Sequence, residues 1–180
     1  MQNKIRAVSL FTGAGGMDIG FERAGIEVVF ANELMKEAAE TYKANHPNVV
    51  MVNDDIYNVI DSLGQYKGVD LVFGGPPCQG FSVAGKMNPD DERSKLIFTF
   101  LDVVEKVQPK AFVMENVKAL GTLEKWKPIR QKYLDRAASL GYICVPFLLN
   151  ATEYNVSQKR ERVFFIGIKD NKDSAFEENM

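Results

Sequence analysis

The stretch Ala7-Val8-Ser9-Leu10-Phe11-Thr12-Gly13-Ala14-Gly15-Gly16 reads as a buried strand running into a glycine-rich turn. Met17 to Ala24 then carries a short helical pattern, with Gly25 as its stop signal. Glycines directly after a first strand permit a tight turn and let a ligand approach the backbone closely. A strand, a glycine turn and a helix in that order predict an α/β domain that binds at the carboxyl end of its strands.

The rest of the chain continues the alternation. Ile26 to Ala31, Val49 to Val52, Val69 to Phe73, Ala111 to Met114, Tyr142 to Leu149 and Val163 to Ile168 read as strands. Leu34 to Asn45, Ile56 to Leu63, Arg93 to Val107 and Trp126 to Leu140 read as helices. Such a pattern predicts a mostly parallel sheet with helices on both faces. Pro76 to Glu92 has no periodicity and reads as a long functional loop. Residues 1–169 are expected to form one domain, and 170–180 a polar, acidic tail.

Composition narrows the possibilities. The 180 residues are 46% hydrophobic and 26% charged, which suits one globular domain. Neither an apolar run of membrane-spanning length nor a secretory signal is present, so a cytoplasmic protein without membrane contact is expected. The 2 cysteines, Cys78 and Cys144, and the 1 histidine are too few for a structural zinc site or a disulfide framework, so no metal is expected. A net charge of -2 argues against autonomous nucleic-acid binding, which calls for a basic surface.

The unusual residues fall after the strands. Glu33, at the end of the second strand, can accept hydrogen bonds from ribose hydroxyls. Asp55-Ile56, after the third, pairs a polar acceptor with an apolar side chain, although Asp before a helix is commonly just an N-cap. The dinucleotide fingerprint wants glycine where this chain has Asp18, which speaks against NAD. Cys78 lies in Gly74-Gly75-Pro76-Pro77-Cys78-Gln79-Gly80-Phe81-Ser82, among polar and rigid neighbours, and is a candidate nucleophile. Cys144, inside an apolar run, fits a buried inert thiol. Glu115 ends a buried strand and needs either a salt-bridge partner or a chemical task. Arg160 and Arg162, in Gln158-Lys159-Arg160-Glu161-Arg162, share a face if extended; they form a solvated basic edge or a clamp for a base or phosphate.

Together these stretches resemble the cytosine-5 DNA methyltransferase family. Phe11-x-Gly13-x-Gly15-Gly16, Gly75-Pro76-Pro77-Cys78-Gln79-Gly80-Phe81-Ser82, Glu115-Asn116-Val117 and Gln158-x-Arg160-x-Arg162 match its motifs in order and spacing. The resemblance implies a Rossmann-like S-adenosylmethionine-dependent methyltransferase fold with an antiparallel last strand. It implies that Phe11, Gly13, Ala14, Gly15, Gly16, Met17, Glu33, Leu34, Asp55, Ile56, Gly75, Pro76 and Leu96 hold S-adenosylmethionine. Pro77, Gln79, Ser82, Asn116, Val117 and Gln158 would meet double-stranded DNA. Cys78 would attack C6 of a flipped cytosine, Glu115 would bond N3, Arg162 would hold O2, and Arg160 would support the same pocket. The loop from Pro76 to Glu92 would close over the DNA.

The family pattern continues past this last motif into a target-recognition region, a further arginine-containing motif and a final helix. This sequence ends at Met180, so a second polypeptide is expected to supply them, and a restriction-modification system is the expected setting. A tRNA-methylating relative and a non-catalytic S-adenosylmethionine-binding module are the alternatives. Gly80-Phe81-Ser82 favours the DNA branch over the first. A non-catalytic module would have no need of Cys78, Glu115 and Arg162 together.

Overall fold

The computed structural model describes residues 4–77 and 95–170. Seven strands form one sheet in the order β3-β2-β1-β4-β5-β7-β6. They are β1 (Arg6–Leu10), β2 (Glu27–Glu33), β3 (Val50–Asn53), β4 (Leu71–Gly74), β5 (Ala111–Val117), β6 (Tyr142–Asn150) and β7 (Glu161–Lys169). β1 to β5 pair in parallel, and β7 runs antiparallel to both neighbours, β5 and β6. The helices are α1 (Gly16–Arg23), α2 (Lys36–Asn45), α3 (Ile56–Val59), α4 (Leu96–Val107), α5 (Lys118–Thr122) and α6 (Lys127–Ser139). No helix among the described residues is long and apolar enough to cross a membrane.

The expected architecture is present, with differences at the element ends. The third strand is followed by only one α-turn, α3, before the chain tightens into a 3-10 segment from Ile60 to Tyr66. The turn from Glu124 to Trp126 is likewise 3-10, so α6 starts at Lys127, with Pro128 in its first turn where a missing N–H costs nothing. β5 runs three residues further than its apolar run and includes Glu115, Asn116 and Val117, because β7 pairs with all three. α5 has no counterpart in the sequence reading; its five residues are too few to show a helical period.

The two faces of the sheet are packed unequally. Val8, Leu10, Val72, Phe112, Met114 and Phe165 face a large core closed by Ile97, Phe100, Leu101 and Val104 of α4 and by Tyr133 and Ala137 of α6. On the opposite face Ala7, Val28, Leu71 and Phe73 pack against Met17 and Phe21 of α1. That second layer stops at β4. Beyond it Ile143, Val145 and Phe147 of β6 stand level with Ile168, Ile166 and Phe164 of β7, on one face. Ile143 and Ile168 are 58% and 60% exposed, far above what an apolar sheet face shows when a helix covers it.

Candidate active site

The end of β1 sets the site. Its last residue, Leu10, is followed by Phe11, which holds φ 53°. A bulky side chain in the left-handed region is strained by about 1–3 kcal/mol, and such strain concentrates at functional sites. The distortion turns the chain into Thr12–Gly16, which lies over the carboxyl ends of the parallel strands. β4 ends close by, at Gly74. A Cβ there would overlap the carbonyl of Leu10, so this close approach of β1 and β4 requires glycine.

Two adjoining cavities open on either side of Phe11, Gly13 and Gly75. The first, of about 700 Å³, is lined by Asn32, Glu33, Leu34, Met35, Asp55, Ile56, Tyr57, Pro77 and Leu96. Glu33 is nearly buried, and both its oxygens accept backbone N–H groups: Oε2 from Gly13 at 2.8 Å and Oε1 from Met35 at 2.8 Å. Each oxygen keeps a second lone pair for a ligand hydroxyl. Asp55 caps α3 by accepting from the Tyr57 N–H at 3.0 Å, yet its side chain also lines the cavity. Buried Ile56 supplies an apolar wall beside it. A carboxylate fixed by the glycine turn, a second carboxylate and apolar walls fit an adenosine-type cofactor.

The second cavity, of about 610 Å³, lies towards β5 and β7. Glu115, Arg160, Arg162 and Phe164 line one side of it, and Gly16, Met17 and Asp18 of α1 the other. The antiparallel register sets Val117 opposite Arg162 and Glu115 opposite Phe164, so all four side chains share a face. Arg162 Nε meets Glu115 Oε1 at 3.0 Å, and an Arg160 terminal nitrogen stands 3.9 Å from the same oxygen. Burial raises the Glu115 carboxyl above its ordinary range; the two guanidiniums and the Arg162 hydrogen bond oppose this, and burial prevails. The group is thereby held nearer to the protonated form than an exposed glutamate would be.

The remaining expected residues scatter around these walls. Asn116 is 1% exposed and its amide donates to the Pro76 carbonyl at 3.2 Å, which ties the entry of the Pro-Pro segment to β5. Gly15 is packed inward, Ala14 and Gln158 are exposed, and none of the three lines a cavity. Pro76 and Val117 do not line either cavity. Cys78, Gln79 and Ser82 lie outside the described residues. Met35, Tyr57, Phe164 and Tyr154 were not anticipated. The first two sit beside singled-out residues; the others become visible only once β7 and the 3-10 turn after β6 are placed. No group of three or more His, Cys, Asp or Glu suited to a metal occurs among the described residues.

Residues 5–180 match the family model described as C-5 cytosine-specific DNA methylase. The chain belongs to that family. It is 39% identical to the type II methyltransferase M.FnuDI of Fusobacterium nucleatum, over 96% of this chain and 50% of that protein. It is 38% identical to M.AquIA of Picosynechococcus, over 99% of this chain and 77% of the relative. Among solved structures, a prophage-encoded E. coli protein assigned as a DNA modification methyltransferase superposes with a TM-score of 0.78 at 33% identity, covering 92% of this chain and 47% of that one. DNMT2 of Spodoptera frugiperda superposes with a TM-score of 0.72 at 25% identity, over 93% of this chain and 50% of that one. This member of the methylase family therefore has the α/β fold of S-adenosylmethionine methyltransferases. It spans about half the length of the first of these curated relatives.

Proposed function

We propose that the chain is the catalytic part of a DNA (cytosine-5-)-methyltransferase of a restriction-modification system, acting in the cytoplasm with a second polypeptide. The observation that carries this reading is the Glu115–Arg162 pair, set in a cavity that shares Phe11, Gly13 and Gly75 with the carboxylate-lined cavity. A structural salt bridge has no reason to face a ligand-sized space.

In this reading Glu33, Asp55, Ile56, Leu34 and Phe11 hold S-adenosylmethionine, which supplies an electrophilic methyl group when bound. A cytosine flipped from the duplex enters the cavity of Glu115. Arg162 bonds the cytosine O2 and Glu115 bonds N3, drawing electron density away from C6. Cys78, from its stiff Pro-Pro segment, adds to C6 as the thiolate and makes C5 nucleophilic. Removal of the C5 proton afterwards expels Cys78. The Arg160 charge keeps the pocket suited to the anionic character that the ring gains on attack.

The second polypeptide has a surface to meet. Ile143, Val145, Phe147 and Ile168 offer an uncovered apolar face, and α1 closes only the far half of that side of the sheet. Labelled S-adenosylmethionine with duplex DNA, in the presence of a C-terminal half from a full-length relative, tests the assignment. DNA is expected to take up label and tRNA is not. Label on tRNA alone, or none on either with every half tried, overturns it.

A further inference from the structure

Beneath the glycine turn lies a cluster of buried polar groups that neither the cofactor wall nor the base pocket uses. Asp18 and Glu22 are one turn apart on α1, and Tyr42 lies one turn before His46, the residue that ends α2. The Tyr42 hydroxyl donates to Asp18 Oδ1 at 2.8 Å, and His46 Nδ1 stands 3.0 Å from Glu22 Oε1. These two rungs lace α1 to α2. The Tyr42 and His46 rings are stacked with centroids 4.3 Å apart, and both residues are buried. Asp18 is fully buried; its second oxygen has no well-formed partner and lies near the Ser9 hydroxyl.

The ring pair does more than join two helices. Gly15, with φ 93°, sits directly on it: a Cβ at Gly15 would be 2.6 Å from His46 Nε2 and 3.1 Å from Tyr42 Cδ2. His46 Nε2 has no hydrogen-bond partner, so its role there is contact. The Gly15 N–H closes the turn onto the Thr12 carbonyl at 3.0 Å, and the Gly13 N–H reaches Glu33 Oε2 at 2.8 Å. A continuous chain of contacts thus runs from His46 and Tyr42 through Gly15 and Gly13 to the carboxylate that lines the cofactor cavity. Two helices fixed only by packing would not need a polar cross-link as costly to bury as Asp18.

We propose that Tyr42 and His46 are positioning residues for the glycine turn, and that through it they set the affinity of the cleft for its cofactor. The second half of this statement rests on the S-adenosylmethionine reading; the first does not.

Hydrogen exchange of the 180-residue chain separates them. In His46→Ala, the Gly13 and Gly15 amides are expected to exchange faster by about fivefold or more, the scale of one lost contact of this kind. The amides of Val72 and Val113, in the sheet interior, serve as the internal standard and are expected to keep their rates. Tyr42→Phe keeps the ring but drops the tether, and is expected to fall between wild type and His46→Ala. Gly15→Ala is expected to loosen the turn too, but less when combined with His46→Ala, because the new methyl then occupies the vacated space. Turn amides that exchange at wild-type rates in His46→Ala, or that speed up only in step with Val72 and Val113, overturn the proposal. S-adenosylmethionine titration, or KM against kcat in the completed enzyme, reads the consequence: KM is expected to rise by the same factor with kcat held. A looser turn with unchanged cofactor affinity overturns the coupling. A wild-type chain that binds no cofactor overturns the cofactor reading, and exchange alone then decides the positioning role.

Discussion

Glu115 sits where burial and two guanidiniums act against one another, and burial prevails, leaving its carboxyl raised above the ordinary range. A raised carboxyl stabilises the fold fully only below its unfolded value, near pH 4 to 5, and loses that contribution as pH rises through the folded value. At neutral pH the ionised side chain therefore works against the fold. Glu115→Gln is expected to melt higher than wild type at pH 7, with the two curves converging near pH 4, while methyl transfer falls by about a hundredfold or more. Thermal scans at both pH values check the sign; a lower melting temperature for the variant at pH 7 would reject it. Arg162→Ala removes the strongest counterweight, so the Glu115 carboxyl is expected to titrate still higher, as a carbon-detected NMR titration would show. Glu115 and the arginines were legible in the sequence because a charge at a strand end is conspicuous. The strained Phe11 and the Asp18–Tyr42 bond were not. One is a backbone property of an ordinary aromatic residue, and the other joins groups 24 positions apart with no local pattern.

The last two strands show how elements fix the site. β7 is wedged between β5 and β6, and its antiparallel register is what brings Arg162 to Glu115. Gly167 of β7 lies opposite Phe112, and a Cβ there would overlap the Phe112 ring. Gly167→Ala is expected to destabilise the fold by about 1–3 kcal/mol, by forcing the ring off its packing against Phe100 and Tyr142. Urea unfolding measures this, and an unchanged midpoint would show that the ring has room to move. Strand positions were readable from apolar runs. Their ends were not: β5 continues through polar Glu115 and Asn116 because a tertiary partner pairs with them, which periodicity does not report. The short α5 and the 3-10 turns escaped for the same reason, since packing rather than propensity holds them.

At the scale of the whole molecule, the sheet is finished on one face and unfinished on the other. Ile143, Val145, Phe147 and Ile168 form an apolar surface that water meets unfavourably. The isolated chain is expected to bind a hydrophobic-surface dye and to self-associate. A C-terminal half from a longer relative is expected to suppress both; light scattering and dye fluorescence report them, and persistence of both in a catalytically competent complex would put the contact elsewhere. The fold class and the location of the cleft were legible from the alternation of strands and helices, whereas the uncovered face was not, because it depends on which side each strand presents. The central claim concerns Cys78, which is named by sequence alone. The direct measurement is a denaturing gel of the chain, completed by such a half, with S-adenosylmethionine and duplex DNA carrying 5-fluorocytosine at the target base. A covalent protein–DNA band that disappears in Cys78→Ser is expected. A band that survives in Cys78→Ser, or no band from a complex that methylates ordinary DNA, would contradict the account.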